Sequence, residues 1–399
     1  MSAADQQVDI LISGGGPAGL IAAAAFGLQG YQVLCVDPTP PVTTETDAGA
    51  DLRSTAFLTP SVEFLDRIGL WPLLAPHATP LRVMRIVDAG GAEPRARLIR
   101  DFDASDLRDD QPFGWNLPNW LIRREVMALL DDLAGVRLLT GTGTAGLIAR
   151  DDAAFVTLGD GTRVRARLVV AADGRNSPVR QALGIGVRRF RYGQKALAFA
   201  VTHELPHNNV STEVHRSGGP FTLVPLPDRD GLPCSAIVWM DRGPEIARLA
   251  ALPDADFAQA LNQRSAGMLG WLTPVTRLSV WPIISQIADR FDAPRVALVA
   301  EAAHVVPPIG AQGLNMSLAD LAALVDLSAD DPGNRQALAA YNRARRPEAM
   351  TRLMGIDTLN RASMAGSRPL QDMRAAGLGL LHGIAPLRRL LMRGGMGGR

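Results

Sequence analysis

The chain has 399 residues, 47% of them hydrophobic, and a formal net charge of +1 from 41 basic and 40 acidic side chains. Length on this scale implies more than one domain and a sizeable core, and near-neutrality excludes the positive field of a nucleic-acid-binding protein. Two cysteines, Cys35 and Cys234, exclude a disulfide framework and a cysteine zinc site, which fits a reducing, cytoplasmic compartment. The polar start MSAADQQ reaches the first apolar run too soon for a signal peptide. Because the sequence has no uninterrupted apolar stretch long enough to span a bilayer, the expectation is a cytoplasmic protein, with peripheral attachment to the inner face of a membrane left open.

The first element is the most informative. An apolar run, Val8 to Ile12, enters Gly14-Gly15-Gly16-Pro17-Ala18-Gly19, an alanine-rich stretch leads to Gly30, and a second apolar run ends at Asp37. This is strand, turn, helix, strand with Gly14, Gly16 and Gly19 at GxGxxG spacing. The three glycines serve a tight turn, close approach to a pyrophosphate and close helix–strand packing. The helix start offers free N–H groups. Asp37 follows at about 20 residues, where a carboxylate meets ribose hydroxyls. An adenine dinucleotide site is the expectation. Cys35, in the second strand, reads as a core residue.

Pro38 to Asp51 reads as a loop, and Ser61 to Ile68 as a helix closed by Gly69. Arg53, between them, reads either as a solvated loop charge or as a cofactor contact. Alternation from Leu81 to Phe102 around Gly90-Gly91 predicts two strands away from the first unit. A turn-rich approach, Phe113 to Asn119, precedes a helix from Trp120 to Leu133, with Asn119 its expected cap and Arg123-Arg124-Glu125 a solvated face. Short strands are expected over Val136–Leu139 and Gly146–Arg150, and a hairpin over Phe155–Leu158 and Val164–Val170.

That hairpin ends in a second motif, LVVAADGRNSPVR, where a buried strand meets Asp173-Gly174 and a helix opens with Ser177 as cap and Pro178 as first residue. From Lys195 to Trp281 the pattern turns to strands: Ala196–Glu204, Thr212–Arg216, Phe221–Leu226, Ser235–Met240 and Arg277–Pro282, with a helix over Asp254–Leu269. His203, His207 and His215 lack metal-ligand spacing, and no metal is expected. The third motif, AAHVVPPIGAQGLNM from Ala302 to Met316, follows an apolar strand and opens a helix near Gly313. His304 alone reads as structural. Helices are expected over Leu318–Leu327, Asn334–Asn360 and Leu370–Arg393. The tail carries arginines at 361, 368, 374, 388, 389, 393 and 399. It reads either as a lipid-docking amphipathic tail or as a helix packed on its own domain.

Taken together, the three motifs in this order resemble the group A flavoprotein aromatic hydroxylases, and within them the ubiquinone-biosynthesis hydroxylase family. Smaller likenesses are Arg53-Ser54, GGPFTLVPLP, Tyr341 with Arg345 and Arg346, and the closing MRGGMGG. The resemblance implies an α/β fold, α+β overall. A Rossmann-like FAD-binding domain of the para-hydroxybenzoate hydroxylase type (1–75, 113–185 and 285–335) would carry an inserted, mostly antiparallel β-sheet substrate domain (76–112 and 186–284) and a C-terminal helical region (336–399). It implies FAD as cofactor, NAD(P)H as electron donor, and hydroxylation of a hydrophobic polyprenyl-phenol by O2 through a flavin C4a-hydroperoxide. Membership of a biosynthetic complex and peripheral contact with lipid are further implied partners.

By the same resemblance Gly14, Gly16, Ala18 and Gly19 would hold the pyrophosphate and Asp37 the adenosine ribose. Arg53 and Asn119 would lie near the flavin and its phosphates, and Asp173 and Gly174 by the pyrophosphate. The loop Pro308, Gly310, Gln312, Gly313, Leu314, Asn315 would run along the flavin ring, its N–H groups stabilising an anionic reduced flavin. No protein nucleophile is nominated, since the hard chemistry is the cofactor's. Two positions depart from the family. Ala300-Glu301 stands for the usual Gly-Asp, whose acid holds the ribityl chain, and Ala311 replaces the second loop glycine. A hydroxylase of a small soluble aromatic, and a non-catalytic member of a complex, are the competing readings.

Overall fold

The glycine turn sets the first crossover of the fold. In a computed structural model describing residues 6–384 apart from 92, 94, 108–110 and 330, together with 386, 388, 389, 392 and 395, the strand Gln6–Ser13 lies at the centre of a mainly parallel sheet. It pairs with Val33–Asp37 on one side and Arg163–Ala171 on the other, so that Ile10 faces both Val33 and Leu168. The sheet continues outward through Val136–Thr140 at one end and Val296–Leu298 with Asp292–Ala293 at the other, and the expected hairpin partner Ala154–Leu158 joins Arg163–Ala171 antiparallel. The helix Pro17–Leu28 has no polar face, because it is covered on all sides, and Leu20 to Phe26 are buried. Against it pack Asn119–Asp131 and Gln312–Leu327. Cys35 is buried there and unpaired.

A second, nine-stranded sheet is mostly antiparallel. Its order runs His304–Val305, Ser279–Ala288, Val187–His203, Leu232–Arg242, Pro220–Arg229, Val210–His215, Val83–Asp88, Leu98–Asp103, with Leu272–Pro274 beside Val187–His203. Alternation along Val187–His203 gives the sheet two buried faces. Leu197, Phe199 and Val201 pack with Ile237 and Trp239 under the helices Gly243–Ala250 and Asp254–Arg264. Ala196 turns the other way, to Met240, Ile283, Ile309 and Ile356.

Several expectations shift. The first long strand of this sheet begins at Val187 rather than near Lys195. Its arginine-rich start hides the signal, since Arg188, Arg189 and Arg191 are exposed while the backbone still pairs with Ile284–Ala288. A register shift between Arg191 and Lys195, at Gly193 with φ +69°, separates its two halves. Ser279–Ala288 stays in this sheet past residue 285. Gly114–Pro118, expected as a turn-rich approach, is a strand between Ser54–Leu58, for which the sequence predicts no element, and Thr79–Leu81 in a three-stranded sheet. Gly243–Ala250 is an additional helix, and Asp254–Arg264 ends earlier than its apolar pattern.

The C-terminal part is helical: Arg335–Ser363, with Pro347 inside it, then Arg368–Gly383. Arginines read as available to lipid are used internally here. Arg361 pairs with Asp357, Arg374 with the buried Asp88, and Arg388 with Asp106. Arg393 and Arg399 lie outside the described residues. No described helix is long and apolar enough to cross a membrane.

Candidate functional site

The three glycines of the first turn do different things. At Gly14, φ is +111° and an added Cβ would lie 2.4 Å from the Ala172 carbonyl oxygen; at Gly19 it would lie 1.8 Å from the Gly14 oxygen. Both are forced by backbone approach. A Cβ on Gly16 would meet nothing within 4 Å, so this position opens onto free space. Gly16 is also the cap of Pro17–Leu28 and has no side-chain partner there, which leaves the first-turn N–H groups of Ala18 and Gly19 uncapped. Asp37 closes the turn, its Oδ2 accepting from the Gly15 N–H at 2.6 Å and its Oδ1 from the Thr39 N–H at 2.8 Å.

Asp173 ends the neighbouring strand. Its Oδ2 accepts from the Val179 N–H at 3.2 Å and from Ser13 Oγ at 3.3 Å, while its Oδ1 is buried without a partner. Burial is the main cause that raises its carboxyl above the usual range, outweighing those bonds. Ser177 caps the next helix as expected, accepting from the Arg180 N–H at 2.9 Å. Gly174 takes φ +81° with open space around it.

Asn119 is not the cap of its helix. It is the first helical residue, and its Nδ2 donates to Asp51 Oδ2 at 2.9 Å while its Oδ1 accepts from Thr55 Oγ1 at 2.8 Å. Asp51 in turn takes a two-pronged contact from Arg53, Nε at 2.8 Å and Nη2 at 2.7 Å. Burial pushes the Asp51 carboxyl up, and the Arg53 and Asn119 bonds more than reverse this, holding it below the usual range. Arg53 also stacks over Trp281, 4.0 Å from the ring centre, so the loop arginine is held rather than solvated. Arg123, expected on a solvated face, is half-buried with its Nε unpartnered; burial and the Arg53 charge lower its pKa although Asp51 and Asp37 oppose them. Sequence reading missed Asp51, Thr55, Arg123 and Trp281 as site residues. They come from three segments (Asp51 with Thr55, then Arg123, then Trp281) and share no local signature.

The third motif closes the group. Ala300 and Ala311, which stand where the resembled family has glycine, both adopt positive φ, +52° and +57°. Glu301 is exposed and acts electrostatically on Arg53. Gly310 has φ +63°, and Ala311 caps Gln312–Leu327 without a side-chain bond. At Gly313 a Cβ would find open space; Leu314 is half-buried against the core, and Pro308 is exposed. Asn315 spends its side chain on backbone, with Oδ1 accepting from the Leu58 N–H at 2.9 Å and Nδ2 donating to Ala56 O at 2.7 Å and Ala311 O at 2.5 Å. Gln312 donates to Gly310 O at 2.8 Å and Gly395 O at 3.0 Å, and accepts from Arg352 at 2.9 Å. Both side chains fix the loop's shape. His304 is buried, 2.6 Å from Asp320 Oδ2, and Arg345 Nε reaches the other oxygen at 2.7 Å. Removing one member of such a buried set costs about 3–5 kcal/mol, a structural role.

Open space before Gly16 and Gly313, uncapped N–H groups at two helix starts, and two buried unpartnered polar atoms, Asp173 Oδ1 and Arg123 Nε, suit a long, polar, phosphate-bearing cofactor. With the two-sheet architecture, they mark the class of FAD-dependent aromatic hydroxylases. The FAD binding domain family matches residues 7–354. The ubiquinone hydroxylase UbiL of Rhodospirillum rubrum is 35% identical over 99% of this chain and 90% of its own length. The 3-demethoxyubiquinol 3-hydroxylase of Escherichia coli is 27% identical over 98% of this chain and 99% of its own. In fold, the crystal structure of p-nitrophenol 4-monooxygenase PnpA from Pseudomonas putida DLL-E4 superposes with a TM-score of 0.79 at 20% identity, covering 99% of both chains. The chain belongs to the ubiquinone-biosynthesis family of FAD-dependent hydroxylases.

Proposed function

We propose that this protein hydroxylates the ring of a polyprenylated phenol in ubiquinone biosynthesis, with FAD, O2 and NAD(P)H. The observation that carries the substrate class is the buried apolar cluster of Ala196, Met240, Ile283 and Ile356, packed with Ile309 beside the Pro308 loop, which would form the apolar wall of the substrate space. The relatives' names support the pathway. FAD, when bound, supplies the oxygen-activating chemistry.

The chain's own groups bind and orient. The N–H groups of Ala18 and Gly19 and the guanidinium of Arg123 would hold the pyrophosphate passing before Gly16. Asp37 would accept from ribose hydroxyls. Gly174 would leave room for the phosphates beside Asp173. Glu301 would reach the ribityl chain. Arg53, fixed by Asp51, Asn119 and Trp281, would present positive charge at the cleft without collapsing into it. The N–H groups of Gly313, Leu314 and Asn315, at a helix start, would stabilise negative charge on the reduced ring. Tyr192, whose hydroxyl lies 2.6 Å from both Ser285 Oγ and Asp357 Oδ1, borders the apolar wall. Burial, then Asp357, pushes it up to about 12, so it keeps its proton at neutral pH. The apolar wall excludes water from the ring being oxidised.

In this reading residues 1–75, 113–185 and 285–335 form the FAD part, 76–112 and 186–284 the substrate part, and 336–399 the helical region. Met354, Leu359, Leu370, Met373, Leu380 and Ile384 are exposed, which supports contact of the C-terminal helices with lipid or with another member of a biosynthetic complex. The test is mass spectrometry of the quinone pool after deletion of the gene in its host. A prenylphenol lacking one ring oxygen should accumulate, and its structure names the carbon. An unchanged pool, with no second hydroxylase covering the step, overturns the proposal.

A further inference from the structure

Alternation along Val210–His215 and Pro220–Arg229 sets a few polar side chains among the apolar ones beside Ile309. Val214, Phe221 and Leu223 belong to the core under Gly243–Ala250 and Asp254–Arg264, so Glu213, His215 and Thr222 turn to the opposite face. That is the face of Ala196, Val238 and Met240, which cluster with Ile309. Register fixes the neighbours: Val238 stands opposite Thr222, and Thr222 opposite Glu213. Two strand spacings, about 10 Å, separate Val238 from Glu213. On the far side of Glu213 comes Ile86, which shares a cluster with Leu378 of the helix Arg368–Gly383.

Glu213 is 5% exposed, and its Oε1 lies 2.7 Å from His215 Nε2. Among the described residues this imidazole is the carboxylate's one polar partner. A carboxylate offers about four lone-pair sites, and a buried charge is stable only when it is paired and hydrogen-bonded. Its neighbours are short of partners too, since Thr222 Oγ1 and His215 Nδ1 are buried with none. Other polar side chains on this face are satisfied internally. Tyr192 is held by Ser285 and Asp357, and Gln194 by Gly218 O and Asn360. Trp281 Nε1 is also buried without a partner, but an indole N–H only donates and cannot accept from a hydroxyl.

We propose that Glu213, oriented by His215 and flanked by Thr222, receives the ring hydroxyl of the substrate and so sets which ring carbon faces the Pro308 loop. The inference rests on the phenol reading above and adds the residue that selects the ring's orientation. A phenol lying across Val238 and Thr222 would donate its O–H to the Glu213 carboxylate, and its oxygen would accept from Thr222 Oγ1. Both under-used groups then find partners. The apolar cluster alone would hold a ring without fixing its rotation, because the hydrophobic effect is non-directional. A charged acceptor at one edge supplies the direction. His215 touches no substrate atom and is a positioning residue.

The test is titration of the FAD-loaded protein with 2-geranylphenol and with geranylbenzene, which lacks only the hydroxyl, followed through the flavin absorbance. Glu213→Gln keeps the shape and removes the charge. Thr222→Val keeps the shape and removes a hydroxyl that makes no hydrogen bond, so its apo melting temperature should hold. Wild type should prefer the phenol by about tenfold or more, and Glu213→Gln should lose most of that preference with FAD affinity unchanged. Its turnover should scatter oxygen over more than one ring carbon or release it as hydrogen peroxide, which a purely structural role does not produce. Thr222→Val should move the same ratio in the same direction, and it carries the measurement if Glu213→Gln does not load FAD. Equal affinity of wild type for the two ligands, or a ratio unchanged in the FAD-loaded variants, overturns the anchor and leaves the phenol reading standing. Wild-type protein that binds and oxidises neither ligand refutes that reading and the anchor with it.

Discussion

Substituting Gly16 by alanine tests the cofactor cleft directly. The backbone at Gly16 has φ −70° and ψ 172°, a conformation open to alanine, and the new Cβ would meet nothing within 4 Å. In the FAD-free protein two small effects oppose each other. Alanine loses less chain entropy on folding, worth about 0.4–1 kcal/mol, and it is a poorer helix cap than glycine by about 0.5 kcal/mol or more. The apo melting temperature should therefore hardly move. In the loaded protein the methyl would stand where the pyrophosphate passes. Displacing it strains two charge-assisted bonds to the Ala18 and Gly19 N–H groups, at about 1.5–3 kcal/mol each. FAD should then bind about a hundredfold to a thousandfold more weakly or worse. Gly14→Ala and Gly19→Ala are the controls. Their Cβ atoms would lie 2.4 Å and 1.8 Å from backbone oxygens, so they should destabilise the apo protein itself. The assay pairs melting of the apo form with a flavin-fluorescence titration. Wild-type FAD affinity in Gly16→Ala would refute the placement of the pyrophosphate.

Ala311 and Gly310 should respond with opposite signs. Ala311→Gly relieves a left-handed alanine, worth about 1–2 kcal/mol, against about 0.5–1 kcal/mol of added chain entropy, and should raise the melting temperature slightly. Gly310→Ala, whose Cβ would come no nearer than 3.9 Å to Gln312 Nε2, should lower it; a rise in Gly310→Ala removes the strain argument. Asp88→Asn addresses pH. Burial alone raises the Asp88 carboxyl, but hydrogen bonds from Arg97, Arg374 and the Gly90 N–H hold it below the usual range. A lowered carboxyl stabilises above its unfolded pKa, and the contribution disappears as pH falls through its folded pKa. At neutral pH the variant should loosen the helix Arg368–Gly383 by about 3–5 kcal/mol in amide exchange. The gap from wild type should close in acid below the ordinary carboxylate range, and a pH-independent gap would contradict this.

The parts of the fold carried by short-range patterning were legible. The hairpin before Asp173 and the cap at Ser177 depend on residues close in sequence, and the glycine turn with Asp37 lies within one strand–helix–strand unit. Elements held by distant pairing were not. Ser54–Leu58 and Gly114–Pro118 are strands only because they meet each other, and the prolines and glycine around them read as turns. Asn119 is a capping type of residue, yet it becomes the first helical residue, its side-chain oxygen accepting from Thr55 Oγ1 and its amide nitrogen donating to Asp51. The arginines of the tail illustrate the same limit: Arg374 looked like a free surface charge until the fold brought Asp88 to it.

The strand Val187–His203 is 17 residues long, which at about 3.3 Å per residue is a rod of more than 50 Å. Its first half pairs with Ile284–Ala288 near the Asp173 motif, and its second half supports the apolar wall. Gln194, just after the register shift, is locked by Gly218 O at 2.6 Å and Asn360 at 2.8 Å. The nine-stranded sheet therefore reaches the loop after Asp173 through this strand, whose Arg189 contacts Asn176. A chimera that imports another hydroxylase's second sheet would have to exchange the rod together with its partner Ser279–Ala288. A graft joined at residue 186 alone would leave half a ladder without its mate.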